Sequence, residues 1–357
     1  MEKSVNDIKQ LPIFFIVGSP RSGTTLLRFL FDAHPNVTIP LEFPFILYYH
    51  KIYGHIKKWT ENDLHNFFNE IQKNIQYSFW TIDLWNLKKD ELRENLKKLT
   101  GSCDYETVCK VVCLHFQSPF PKEMISIIGD KNPGYSLDVP LLKEIFPNAK
   151  FIFITRDYRD QIQSIRKANF GNQLTPMIAL RWKQYQKKLM HCQSKYAPDF
   201  YQLPYENFVS NPEENFSSLC TFLGIDFHPQ SLHFYNFKEK IISMYGDDLV
   251  RKNHSSLLKP ISADHIYDWK KTLHPGEVKM AELICGPTGI KLGYTYSRKR
   301  NYWLAIFILP LYFHFALQWL IGLFLYFVPK HKRMKIHFSD SLFLILYEKL
   351  YCWVRKP

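Results

Sequence analysis

Apolar positions along the chain fall into two strand-then-helix patterns separated by a long helical stretch. From Ile13 to Gly18 a short continuous apolar run, Phe14-Phe15-Ile16-Val17, closes on glycine. A polar loop follows, then Leu26-Leu27-Arg28-Phe29-Leu30-Phe31 at helical spacing, which predicts strand, loop and helix. A second unit of the same kind runs Lys150-Phe151-Ile152-Phe153-Ile154-Thr155, then the polar stretch Arg156 to Asp160, then a segment with Ile162 and Ile165 on one face. Continuous apolar strands alternating with helices predict an α/β fold, a parallel sheet flanked by helices. Residues 43–125 are mostly helical in pattern, with an aromatic piece (Phe43 to Tyr49) and a charged piece (Lys88 to Lys98), and are expected to cover the end of the sheet as a helical lid. Farther on, Asn211-Pro212-Glu213 opens an amphipathic helix ending near Gly224, and the domain closes around Gly293.

Beyond Arg300 the pattern changes abruptly. Tyr302 to Val328 is almost wholly apolar, bounded by Ser297-Arg298-Lys299-Arg300 and by Lys330-His331-Lys332-Arg333-Met334-Lys335. A span of about 20 residues would fit. Yet Pro310 divides the run, His314 and Gln318 place polar groups near its middle, and basic clusters flank both ends. The expectation is a helical tail, residues 302–354, that lies on or dips into the cytoplasmic membrane face rather than crossing it once. A helical hairpin packed on the domain or forming a dimer contact is the alternative. The first residues, MEKSVNDIKQLP, hold no apolar run, so no secretory signal or N-terminal anchor is expected and the chain is assigned to the cytoplasm.

Composition narrows the partners. A net charge of +13 suits nucleic acid, an anionic membrane or an anionic small molecule. No Cys/His finger and no aromatic RNA-binding strand is present, so no nucleic-acid partner is expected. The seven cysteines are scattered without a C-x-x-C pair, and Cys109 and Cys113 lack a zinc spacing, so reduced thiols and no metal are expected.

Gly18-Ser19-Pro20-Arg21-Ser22-Gly23-Thr24-Thr25 carries the most chemistry. Its glycine spacing is that of a phosphate-binding loop, G-x-x-x-x-G-K-[ST], with Thr24 in place of the lysine. Backbone N–H groups of such a loop and of the following helix N-terminus form a cradle for an anion. The lysine that reaches the terminal phosphates is missing, and no strand ending in a magnesium-binding Asp is evident, which disfavours NTP hydrolysis. A P-loop nucleotide kinase stays open as an alternative from another class.

PRSGTT after an apolar strand, continued by LLRFLFDAHPNV, resembles the 5′-phosphosulfate loop of the sulfotransferases that use 3′-phosphoadenylyl sulfate (PAPS), the tyrosylprotein sulfotransferases and their bacterial-type relatives in particular. The resemblance spans most of residues 13–295. It implies a catalytic domain over residues 1–296, with 297–357 as the tail, and PAPS as co-substrate without a metal. It implies that Arg21, Ser22, Gly23, Thr24 and Thr25 hold the 5′-phosphosulfate, and that Arg156 and Ser164, in the stretch from Phe153 to Ser164, hold the 3′-phosphate. An arginine fork and a hydroxyl suit that group, although R-D-x-R-D alone also reads as a solvated charge cluster. A third basic contact of the family falls at Ala168, where this chain departs from the pattern, and Arg166 or Lys167 is the nearest substitute.

The resemblance also implies a general base at Glu42, in Thr38-Ile39-Pro40-Leu41-Glu42-Phe43, where apolar neighbours are expected to raise a carboxyl's pKa. It implies a leaving-group contact at Lys131, in Gly129-Asp130-Lys131-Asn132-Pro133, a stretch that by itself reads as a solvated turn, and nucleotide contacts at Tyr205 and Lys259. Sulfuryl transfer needs an in-line acceptor oxygen, a base for its proton and positive charge at the leaving oxygen. The aromatic stretch after Glu42 and the apolar tail point to a hydrophobic hydroxyl acceptor, a lipid, sterol or other alcohol or phenol. A peptidyl tyrosine or glycan acceptor is the alternative, as is an inactive PAPS-binding module.

Overall fold

The structure, a computed structural model, describes residues 4–73, 82–101, 103–168, 174–245 and 255–297, with 306, 309, 310 and 313. Five strands, β1 (Ile13–Val17), β2 (Val37–Thr38), β3 (Ile127–Lys131), β4 (Lys150–Thr155) and β5 (Phe200–Pro204), form one sheet in the order β2-β3-β1-β4-β5. Every pairing is parallel. Both predicted strands are there, buried at every position of β1 and at all but the first of β4, as strands covered on two faces must be.

The chain divides into two compact units, residues 1–156 with 185–266, and residues 157–184 with 267–357. The first holds the whole sheet. Helix α1 (Val5–Gln10) precedes β1, and α2 (Thr24–Ala33) follows it, laying Phe31 against Phe14 with ring centroids 4.8 Å apart. The stretch expected to be helical carries α3 (Phe45–Tyr53), α4 (Glu61–Ile71), α5 (Lys89–Lys97) and α6 (Tyr105–Leu114). Thr60 and Asp104 cap α4 and α6 by accepting from the backbone N–H of Asp63 and Thr107. Aromatic side chains fill the space among these helices. Trp59 stacks on Tyr53 at 5.7 Å and on Tyr105 at 6.4 Å, with Phe67 edge-on. The aromatic run after Glu42 belongs to this packing, since Phe43, Phe45, Ile46 and Tyr49 are buried and Phe43 and Phe45 meet Trp85.

In the second unit, α7 (Tyr158–Lys167) packs beside the helix Pro275–Lys291. Arg159 is clamped between Asp157 and Glu282, at 2.7 and 3.0 Å, and lies over the Trp269 ring. Asp160 accepts from the backbone N–H groups of Tyr267 and Trp269. The charge cluster Asp157-Arg159-Asp160 is therefore internal wiring of this unit, not a solvated strand end. The apolar tail, 302–354, lies outside the described residues apart from four isolated positions. Among the described residues no helix is long and apolar enough to cross a membrane.

Candidate functional site

In an open parallel sheet, ligands bind beyond the carboxyl ends of the strands. The loop from Gly18 to Gly23 leaves that end of β1. Arg21 adopts a left-handed backbone conformation (φ 69°), and Gly23 caps α2 at φ 99°. Only glycine suits the second position, because a Cβ there would stand 2.5 Å from the Tyr205 ring. Ser22 donates to the Ser19 carbonyl at 2.7 Å, folding the loop over itself. No side chain caps α2, so its leading N–H groups at Thr24 and Thr25 face the loop without a carboxylate or hydroxyl cap.

Arg156 follows β4 directly. Its guanidinium lies 4.3 Å above the Tyr205 ring and donates to the carbonyls of Arg21 and His265, each at 3.3 Å. Burial, then the like charge of Arg156, lowers the pKa of Arg21. A half-buried and a buried arginine held together beside a helix N-terminus are the electrostatic signature of an anion site. Arg21, Ser22, Gly23, Thr24, Tyr205 and Arg156 are thus gathered in one place.

Glu42 is set by the segment after β2. Arg28, buried on α2 and paired with Asp32 at 2.8 Å, donates to the Ile39 carbonyl at 2.8 and 3.2 Å, and the Trp85 indole N–H donates to the Leu41 carbonyl at 3.0 Å. Glu42 emerges next, and its Oε2 lies 2.5 Å from Lys131 Nζ. Lys131 ends β3, in register with Ile16 of β1. It is not the solvated turn residue that its sequence predicts: its side chain is 4% exposed. Two apolar residues before Gly129-Asp130 hid a buried strand. The expected apolar enclosure of Glu42 is also absent, since the carboxylate is 31% exposed and faces an ammonium.

Of the remaining expected residues, Lys259 is exposed just past the turn Ser255–Leu258. Ser164 is a half-buried residue of α7 and belongs to the second unit, whereas Arg156 belongs to the first. Ala168 caps α7, with its N–H donating to the Ser164 carbonyl. Arg166 is committed elsewhere: its guanidinium donates to Glu277 and Thr175, both at 2.6 Å. Lys167 is largely exposed.

Sequence reasoning missed three buried polar residues at this sheet edge. Asp130 accepts from the Asn132 amide at 2.6 Å and is buried, which pushes its pKa up to about 7, with the Glu42 charge adding to the rise against the effects of Asn132 and Lys131. Ser136 and Gln186 both reach the glycine loop. A lone Ser or Gln far away in the chain gave no signal, but Arg28 and Asp32, polar at i and i+4 on an apolar helix, did. Among the described residues no group of three His, Cys, Asp or Glu could hold a metal ion.

A profile of the Sulfotransferase family matches residues 12–229. The chain is 24% identical over 308 residues to protein-tyrosine sulfotransferase 2 of Gallus gallus, across 82% of this chain and 72% of that protein. It is 27% identical over 296 residues to protein-tyrosine sulfotransferase A of Caenorhabditis elegans, across 79% and 67%. Among solved structures, the sulfotransferase domain of the Synechococcus PCC 7002 olefin synthase shares the fold with a TM-score of 0.52 at 22% identity, covering 79% of this chain and 94% of that one.

Proposed function

The chain belongs to the sulfotransferase family and is a PAPS-dependent transferase, and from that premise we propose that it moves the sulfuryl group onto a phenolic hydroxyl, the tyrosine of a protein or peptide. The observation that carries the chemistry is the pairing of Glu42 with Lys131 beside the glycine loop at the carboxyl edge of the sheet.

Residues of the loop fit an anionic donor: left-handed Arg21, the uncapped N-terminus of α2 and the Arg21–Arg156 pair supply positive potential without a metal. In this reading Arg21 to Thr25 hold the 5′-phosphosulfate. Arg156 serves the 3′-phosphate, and Tyr205 packs the loop. Glu42 takes the acceptor's proton as the acceptor oxygen bonds to sulfur, and the bond from sulfur to the bridging phosphate oxygen breaks. Lys131 meets the charge that develops on that leaving oxygen. An ammonium has three N–H directions, so Lys131 can hold Glu42 and the leaving oxygen together.

The acceptor rests on the relatives, which are named as protein-tyrosine sulfotransferases and whose likeness spans about four fifths of this chain. The hydrophobic alcohol expected from the aromatic run loses its structural argument, because those rings are packed in the core among α3 to α6. The test is incubation with isotopically labelled PAPS and a panel of a tyrosine peptide, a sterol and an oligosaccharide, read by mass spectrometry. Label in the peptide supports the proposal. Label in the sterol or oligosaccharide alone overturns the acceptor while leaving the transferase intact.

A further inference from the structure

Ser136 is fully buried, and its hydroxyl serves a single residue. It accepts from the Gly18 N–H at 2.9 Å and donates to the Gly18 carbonyl at 3.1 Å, across 118 positions of sequence. Gly18 opens the donor loop. A Cβ there would meet the Ile154 carbonyl at 2.6 Å and the Ser22 hydroxyl at 2.9 Å, so the backbone of the loop is pressed against the end of β4, two residues before Arg156. Ser136 stands on the short turn Pro133–Leu137, which begins two residues after Lys131. That turn is itself braced, since the Asn132 amide holds Asp130 at 2.6 Å and the Tyr135 N–H donates to the Asn132 carbonyl at 2.9 Å.

Three strand ends carry the proposed chemistry: β1 the loop, β3 Lys131 and β4 Arg156. Gly18 touches the second through Ser136 and the third through Ile154. We infer that Ser136 is a positioning residue, which fixes Lys131 relative to the phosphosulfate loop through its two hydrogen bonds to Gly18. The inference rests on the reading of Lys131 given above. The physical ground is that a hydroxyl filling both backbone valences of one residue sets distance and orientation at once, and that transfer rates respond steeply to sub-ångström displacement of a charged group. The two bonds lie out of water, where an unmatched partner is costly and the native geometry is strongly preferred.

A double-mutant cycle separates positioning from mere stability. Ser136→Ala is expected to lower kcat roughly 10- to 100-fold with the KM of the acceptor unchanged. In a Lys131→Ala background the same change is expected to cost less than about twofold, because the group it positions is gone. Equal losses in both backgrounds, or a wild-type kcat in Ser136→Ala, would overturn the inference. If Lys131→Ala itself transfers at the wild-type rate, the reading of Lys131 fails instead, and the two failures are told apart. Should Ser136→Ala not fold, Ser136→Cys keeps the shape with a much weaker hydrogen-bonding group, and the same cycle applies to it.

Discussion

Lys131 and Glu42 lie 89 residues apart in sequence, yet their side chains meet at 2.5 Å at the carboxyl edge of the sheet. Each arrives on a different support: Lys131 as the last residue of β3, Glu42 on a segment pinned by Arg28 and Trp85. Losing the carboxylate is the costlier way to break this pair, because the buried ammonium left behind must be neutralised or solvated, whereas the partly exposed carboxylate can turn to water.

The 3′-phosphate should be read by Arg156. Adenosine 3′,5′-bisphosphate is expected to bind more tightly than its 3′-dephosphorylated counterpart by about 10- to 100-fold, one charge-assisted bond being worth roughly 1.5–3 kcal/mol. In Arg156→Ala that preference should shrink. Calorimetry with both nucleotides measures it, and equal affinities in the wild-type chain would remove the assignment.

Gly23→Ala should damage the loop twice over. It forces a side chain into a left-handed position at φ 99° and drives a Cβ to 2.5 Å from the Tyr205 ring. Strain of this kind costs on the order of 1–3 kcal/mol. A lower melting temperature together with weakened nucleotide binding is the expected result, and an unchanged thermal transition would contradict the described loop.

Asp130 predicts a particular pH dependence of stability. Its folded pKa, pushed up to about 7 chiefly by burial, stands above the unfolded carboxyl value near 4. Folding therefore takes up a proton between about pH 4 and pH 7, and stability from this group is present in acid and declines as pH rises across that window. Asp130→Asn, which can still accept from Asn132, should stabilise the chain above pH 7 by at most about 4 kcal/mol and give no gain near pH 4. Denaturant titrations at the two pH values decide it. An equal effect at both would show that the carboxyl is not the source.

How much of this was legible depends on how far each residue acts from its place in the chain. The apolar runs at 13–17 and 150–155 announce β1 and β4, and the glycine spacing announces the loop, because local pattern suffices for both. β3 was hidden, since Ile127 and Ile128 are too few to signal a strand before Gly129 and Asp130. β2 is two residues long and leaves no pattern at all. Aromatic residues at 43–49 looked like a surface for an apolar ligand, and only the positions of Trp59, Trp85 and Tyr105 show that they are core. Ser136 and Gln186 act across the fold, so nothing next to them in sequence marks them.

The proton-taking role proposed for Glu42 is tested most directly by removing its charge. Glu42→Gln keeps the size of the side chain, removes its charge and should leave the Arg21 loop and Arg156 undisturbed. Transfer of labelled sulfur from PAPS to a tyrosine peptide, measured beside the affinity for adenosine 3′,5′-bisphosphate, is expected to fall by about 10²–10⁴-fold while nucleotide affinity stays within about twofold. Transfer by Glu42→Gln at the wild-type rate would contradict the account.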